Sequence, residues 1–374
     1  MRLLIAGGGT GGHLFPGIAV AEEFLARDPA NEVLFVGTER GIEARAVPAA
    51  GYRLELISAA GIRGKGGLSQ IRGAAMMLYG YATSRKILKA WRPDMVLGVG
   101  GYASLPMVLA ARGMQIPCSI HEQNAIPGLT NRLLARFADR VFITLDESAR
   151  FFPKGKTLLT GNPLRRQILD LVERQAPPSL ADIPHQEGNG EAAPFRLFIF
   201  GGSQGAHAIN MAMLAALPHL ERYAAKLEIT HQTGEKDAAE LVEAYRRHGL
   251  RASVMPFIQD MAAAYRLADL VICRAGATTI AEVTACGKAC LFIPFPHAVD
   301  DHQRRNAEAF LKKGAGFMLL ERELSGERLA GIIHELAENP ETVQRTGALA
   351  FGLARLDAAR IIVDEMTNIE KIIG

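Results

Sequence analysis

Twice in this chain a short apolar run stops at a glycine pair and then reaches a histidine. Arg2-Leu-Leu-Ile-Ala-Gly-Gly-Gly-Thr-Gly-Gly-His13 is matched by Arg196-Leu-Phe-Ile-Phe-Gly-Gly-Ser-Gln-Gly-Ala-His207. An apolar run of that length ending in glycines reads as a buried strand entering a tight turn. Each copy opens a series of the same kind. In the first half strands are predicted at 33–36, 54–57, 95–97, 119–121 and 141–144, with a helix at 16–27. In the second half they are predicted at 227–230, 252–255, 270–273 and 289–293. Buried strands alternating with helices mean βαβ units and parallel sheets. The fold class is therefore α/β, with two doubly wound domains in tandem. Length agrees, because single cores stop growing at roughly 250–300 residues and this chain has 374.

Residues 174–194, with four prolines and little periodicity, read as a linker or surface loop. The stretch 349–373 reads as one helix. Four cysteines without a C-x-x-C pair exclude a disulfide framework or a zinc ribbon. Only four apolar residues follow Arg2 before the glycines begin, too few for a signal-peptide core. No run of about 20 apolar residues occurs. A soluble, cytoplasmic protein is expected.

Charge is uneven along the chain. Residues 1–160 carry 19 Lys and Arg against 12 Asp and Glu, and the remainder carries 23 against 27. A basic half and a mildly acidic half suggest different partners. Gly7 to Gly12 can cradle an anion at a helix N-terminus. As a nicotinamide site it lacks a well-placed acidic residue, since Glu39 follows the second strand only after Gly37-Thr38. His13 closes the loop at the end of a strand, where open α/β sheets bind ligands. Imidazole titrates closest to neutral pH, so it suits a general base. Two further glycine loops, Gly61-Ile-Arg63-Gly64-Lys65 and Gly98-Val-Gly100-Gly101-Tyr102, suggest a second, phosphorylated substrate in this half. His121-Glu122-Gln123-Asn124 is a polar run that is costly to bury without partners. Between Gly61 and Trp91 six basic and no acidic residues flank Met76, Met77, Leu78, Tyr79 and Tyr81. That composition suits an anionic membrane surface. In the second half Gly201 to Gly205, with Ser203, can hold another anion. Arg274-Ala-Gly-Ala277-Thr278-Thr279-Ile-Ala-Glu282 is a strand end, a turn and a helix start whose carboxylate could accept ribose hydroxyls. D-x-D, H-E-x-x-H and Walker motifs are missing, so no metal-clamped diphosphate is indicated.

Seven segments in order make the chain resemble the MurG family of glycosyltransferases. They are Gly7 to His13, Gly61 to Lys65, Gly100 to Tyr102, His121 to Asn124, Gly161 to Pro163, Gly201 to Gly205 and Asp300 to Gln303. The resemblance implies a GT-B fold, two Rossmann-like domains facing a cleft. The first is 1–162, an acceptor (lipid I) domain rejoined by a C-terminal helix, 349–374. The second, 163–348, binds UDP-GlcNAc. It implies inverting transfer of GlcNAc from UDP-GlcNAc to the C4 hydroxyl of the muramoyl sugar in undecaprenyl-pyrophosphoryl-MurNAc-pentapeptide. Neither cofactor nor metal is expected, and no nucleic-acid partner. Contact with other cell-wall synthesis proteins is implied, at the cytoplasmic face of the bacterial inner membrane.

By the same resemblance, Thr10, Gly11 and Gly12 line the sugar side of the donor site and Asn124 contacts GlcNAc. Arg165 approaches the nucleotide and Ser203 the diphosphate. Ile258 meets uracil through its backbone, and Ala277, Thr278, Thr279 and Glu282 hold phosphates and ribose. Gln303 contacts the sugar, with His302 beside it. Inversion needs one base; His13 is assigned, with Glu122 as the rival. A UDP-GlcNAc 2-epimerase of the same fold, a nicotinamide oxidoreductase and a lipid-binding scaffold are the competing readings.

Overall fold

The predicted strands lie in two all-parallel sheets. The structure, a computed structural model, describes residues 1–39, 41–59, 67–174, 193–202 and 205–373, except the side chains of 67–75 and 373. The glycine loop at Gly61, Arg63, Gly64 and Lys65, most of the 174–194 linker and Ser203 therefore lie outside the described residues. Contacts group Met1–Arg166 with Arg355–Gly374 as one unit and Gln167–Ala354 as the other.

The first unit carries seven strands: β1 (Arg2–Gly7), β2 (Glu32–Gly37), β3 (Arg53–Leu56), β4 (Met95–Gly100), β5 (Cys118–Glu122), β6 (Arg140–Ile143) and β7 (Thr157–Leu159). Their order is β3-β2-β1-β4-β5-β6-β7. Helices α1 (Gly11–Arg27), α2 (Glu43–Ala49), α3 (Gly67–Trp91), α4 (Ser104–Gly113) and α5 (Leu129–Leu134) connect them, and α6 (Arg166–Arg174) leads out. Successive strand residues face opposite ways. Leu3 and Ile5 pack with Phe24 and Phe35 on one face, while Leu4 and Ala6 pack with Leu88, Val96 and Val108 on the other. Both faces are covered, so β1 reads as an unbroken apolar run rather than an alternating one.

The second unit repeats the winding with β8 (Phe195–Phe200), β9 (Leu227–Gln232), β10 (Arg251–Met255), β11 (Leu270–Cys273), β12 (Ala289–Phe292) and β13 (Phe317–Met318), in the order β10-β9-β8-β11-β12-β13. Its helices are α7 (His207–Leu220), α8 (Ala238–Arg247), α9 (Met261–Leu267), α10 (Ala277–Ala285), α11 (His302–Leu311), α12 (Gly326–Ala337) and α13 (Pro340–Phe351). In each sheet the order reverses at one strand, β1 or β8. The glycine loop leaves from the carboxyl end of that strand, where such sheets bind ligands.

The stretch 349–373 is not one helix. Helix α13 runs to Phe351 and belongs to the second unit. The chain breaks at Gly352, and α14 (Ala358–Ile373) begins after Asp357, whose carbonyl accepts from Ile361 N. Helix α14 rests on α1: Ala359, Ile362, Val363 and Met366 are buried with Phe24, and Asp364 pairs with Arg27. The limits 162 and 348 read from the sequence thus fall short of the contact boundaries.

Candidate active site

In the first unit the glycine loop is held from below by a residue the sequence reading passed over. Glu43, at the start of α2, is buried. Its Oε2 accepts from Gly9 N at 2.7 Å, and its Oε1 accepts from Thr38 N and Thr38 Oγ1, both at 2.9 Å. The acidic residue after β2 that matters is therefore Glu43 and not Glu39, and it binds loop backbone. Thr10 caps α1, and Gly11, Gly12 and His13 form its partly exposed first turn.

His13 sits over the end of β4. A Cβ on Gly100 would lie 2.8 Å from His13 Nδ1, and Gly100 has φ +97°, so the ring occupies space that only glycine leaves. Gly101 lies beside it, and Tyr102 projects outward with 56% exposure. Nδ1 of His13 lies 3.0 Å from Gln123 Oε1. Gln123 Nε2 donates to Val99 O at 2.9 Å and lies 3.1 Å from His121 Nδ1. His121 Nε2 faces Gly161 O at 3.3 Å. Burial, opposed by the bond to Gly161, pulls the His121 imidazole down to about 4, so it is neutral at physiological pH.

Glu122 is 1% exposed, and both of its oxygens are occupied. Oε1 accepts from Asn124 N at 2.9 Å and Asn124 Nδ2 at 3.3 Å, and Oε2 accepts from Asn131 Nδ2 at 2.9 Å and Gly128 N at 3.2 Å. The carboxylate braces the loop that carries Asn124. Arg165, in the first unit, holds its guanidinium 5.3 Å from the Phe15 ring centroid.

In the second unit the loop after β8 is held by amide chemistry instead. Gln232 is buried; its Nε2 donates to Gly202 O at 2.8 Å, and its Oε1 accepts from Ile258 N at 2.8 Å. The Ile258 N–H is thereby engaged. Gly205 has φ +76°, and a Cβ there would lie 2.0 Å from Thr233 O. Helix α10 starts at Ala277 with Gly276 as its cap, and Thr278 and Thr279 stand partly exposed on its first turn. Glu282 is buried, with the Tyr265 hydroxyl donating to it at 3.3 Å. Arg274 is turned inward: it pairs with Glu321 at 2.5 Å and donates to Ile293 O and Pro294 O. Gln303 Oε1 accepts from Phe295 N at 3.0 Å, and His302 Nδ1 bonds Val299 O at 2.8 Å. Between them and the strand, Asp300 and Asp301 both take φ +54°, a strained conformation for residues with side chains. Among the described residues no three His, Cys, Asp or Glu side chains converge as a metal site requires.

The segment 76–81 is divided by the α3 periodicity. Leu78 is 72% and Tyr79 63% exposed, whereas Met77 and Tyr81 pack against the core and Met76 is half-buried. Arg85, Lys86 and Lys89 follow on the same helix.

Residues 3–143 match the glycosyltransferase family 28 N-terminal domain, and residues 196–361 match the family's C-terminal domain. The chain is 70% identical to the UDP-N-acetylglucosamine--N-acetylmuramyl-(pentapeptide) pyrophosphoryl-undecaprenol N-acetylglucosamine transferase of Pelobacter propionicus, over 98% of this chain and 99% of the relative. It is 65% identical to the protein of the same name from Trichlorobacter lovleyi, over 98% and 97%. Among solved structures it is similar to Acinetobacter baumannii MurG, with a TM-score of 0.77 and 31% identity over 98% of this chain and 99% of that one. UDP-GlcNAc 2-epimerase from Neisseria meningitidis aligns with a TM-score of 0.68 at 13% identity, over 98% of this chain and 100% of that one, a likeness of fold alone.

Proposed function

The chain belongs to glycosyltransferase family 28, and on that premise we propose that it moves GlcNAc from UDP-GlcNAc to undecaprenyl-pyrophosphoryl-MurNAc-pentapeptide, releasing UDP. The observation that carries this reading is identity of 65–70% along almost the whole chain with transferases of that name. The epimerase reading has only shared fold in its favour.

In the proposed reaction the C4 hydroxyl of the muramoyl sugar attacks C1 of GlcNAc while the bond from C1 to the UDP oxygen breaks, with inversion. The hydroxyl proton passes to His13. This assignment is supported over Glu122 because a base needs a lone pair for substrate, and the Glu122 oxygens already accept four hydrogen bonds. The second unit takes the nucleotide. Thr278 and Thr279 at the α10 N-terminus, with Ser203 in the glycine loop, bind the diphosphate, where helix N–H groups stabilise the charge of the leaving UDP. Glu282 takes the ribose, the Ile258 carbonyl meets uracil, and Asn124 and Gln303 read the sugar.

Among the described residues no helix is long and apolar enough to cross a membrane. The lipid-linked acceptor is met instead by a peripheral contact, which we assign to Leu78, Tyr79 and the cations Arg85, Lys86 and Lys89, at the cytoplasmic face of the inner membrane. Leu78→Asp with Tyr79→Asp is expected to abolish binding to anionic vesicles, and wild-type binding to weaken with salt. Unchanged binding by the double variant would move the anchor elsewhere.

The test of the function is UDP release from UDP-GlcNAc with and without a lipid I analogue. Release that depends on acceptor is expected. Release without acceptor, accompanied by ManNAc, would make the chain an epimerase.

A further inference from the structure

His13 can act as a base only through a nitrogen that carries no proton, and neutral imidazole has two arrangements. The buried contacts around it leave one choice. The peptide oxygen of Val99 can only accept, so the Gln123 side chain must turn its NH2 group toward it at 2.9 Å. The same nitrogen lies 3.1 Å from His121 Nδ1, which must then be the unprotonated nitrogen of that ring. The far end is compatible, since Thr144 Oγ1, 3.4 Å from His121 Nε2, can accept as well as donate. His121 Nε2 faces the Gly161 carbonyl at 3.3 Å, an acceptor that requires N–H there. With its nitrogen committed, Gln123 presents Oε1 to His13 Nδ1 at 3.0 Å, and that contact is a hydrogen bond only if Nδ1 holds the proton.

We infer that Gln123, backed by His121 and the Val99 carbonyl, is the positioning residue that holds His13 as its Nδ1–H tautomer and leaves the lone pair on Nε2. The isolated side chain favours the opposite tautomer, so the relay has work to do. The strand geometry explains why Val99 is available. Pairing of β1 with β4 slips between Ala6 and Gly7, from Gly98 opposite Ala6 to Gly100 opposite Gly7, and Val99 is the extra residue of that bulge. Bulges beside active sites commonly re-aim a group in this way. A carboxylate in the place of Gln123 would also hold Nδ1–H but would add a buried charge; the carboxamide sets the proton's position without one.

The inference rests on the reading of His13 as the base, but its primary test does not. Long-range 1H–15N correlation spectra of the full chain above pH 7.5, with ring signals assigned by comparison with His13→Asn, report which nitrogen is protonated. The expected result is Nδ1–H for His13 and Nε2–H for His121. An Nε2–H signal for wild-type His13 overturns the proposal whatever the kinetics. Gln123→Met should shift His13 toward Nε2–H and lower kcat about 10²-fold, with UDP-GlcNAc Kd within about twofold. Gln123→Glu in its protonated form can donate to Val99 O and accept from His13 Nδ1 as the carboxamide does, so it should keep the Nδ1–H signal and recover most of that loss. A Gln123→Met enzyme with wild-type kcat, or a Gln123→Glu enzyme no better than Gln123→Met, counts against the relay. If Gln123→Met does not fold, the wild-type spectrum still decides. Near-wild-type turnover of His13→Ala would remove the base assignment while leaving the tautomer measurement standing.

Discussion

His13 and His207 hold the same place in the two copies of one sequence pattern, and the structure gives them opposite neighbours. His13 Nδ1 meets the neutral amide of Gln123. His207 Nδ1 meets the carboxylate of Asp237 at 3.0 Å. Behind each lies a buried, neutral histidine on the strand side. In the first unit that residue is His121, linked directly through Gln123. In the second it is His231, whose Nε2 lies 3.1 Å from Asn210 Oδ1, while Asn210 Nδ2 donates to Asp237 at 2.7 Å. Burial raises the Asp237 carboxyl, but hydrogen bonds from Asn210 and His207 outweigh it and hold the group below the usual carboxylate range. A carboxylate beside an imidazole favours the cation, whereas a carboxamide fixes the proton without adding charge. The same loop position thus meets a neutral amide in the first unit and a carboxylate in the second.

The comparison breaks most directly in turnover. His13→Ala is expected to lower kcat by about 10²–10⁴-fold, the usual contribution of a general base, with UDP affinity nearly unchanged by titration calorimetry. His207→Ala should cost less than about tenfold, because its ring is 61% exposed and answers to Asp237. Equal losses would erase the distinction.

Acid sharpens it next. Above pH 6.5 His121 and His231 are neutral whether the chain is folded or not, so neither affects stability. Below 6.5 the unfolded chain takes up protons that the folded sites refuse down to about 4 for His121 and about 3 for His231, where burial is the main cause. Each site then costs about 1.4 kcal/mol per pH unit. By pH 4 His121 alone should remove on the order of 3 kcal/mol. His231→Gln is expected to flatten the fall in denaturant midpoint between pH 6.5 and 4. An unchanged slope would show that the ring is not held neutral.

The two loop clamps should differ by less. Glu43→Gln turns an amide N–H toward one of the three donors now bound by the carboxylate, at a cost of about 1–3 kcal/mol. Gln232→Ala leaves Gly202 O and Ile258 N without that partner and should cost about 1 kcal/mol. Thermal unfolding of both variants checks the order. The reverse order would place the main clamp in the second loop.

Much of this was legible in the residues. Unbroken apolar runs such as 3–6 and 270–273 announced buried parallel strands, because helices on both faces leave no polar side for the sequence to record. The glycine loops were legible for the same local reason. The rest was not. The 349–373 stretch hid a break at Gly352, since helical periodicity on both sides of a short turn looks continuous. Nothing in the sequence singles out Glu43, because the helix that brings its carboxylate to Gly9 N is a matter of chain path. Met77 and Tyr81 looked like membrane contacts until the turn of α3 set them against the core.

The amino-acid order by itself determined the local events: where strands begin, where glycines turn the chain, and which loops can approach a phosphate. Only the tertiary structure decided what each loop histidine would face. Gln123 lies 110 residues from His13, and Asp237 lies 30 from His207. Periodicity and propensity act over a few residues, whereas hydrogen-bond partners are chosen by which strands and loops the sheet order brings side by side.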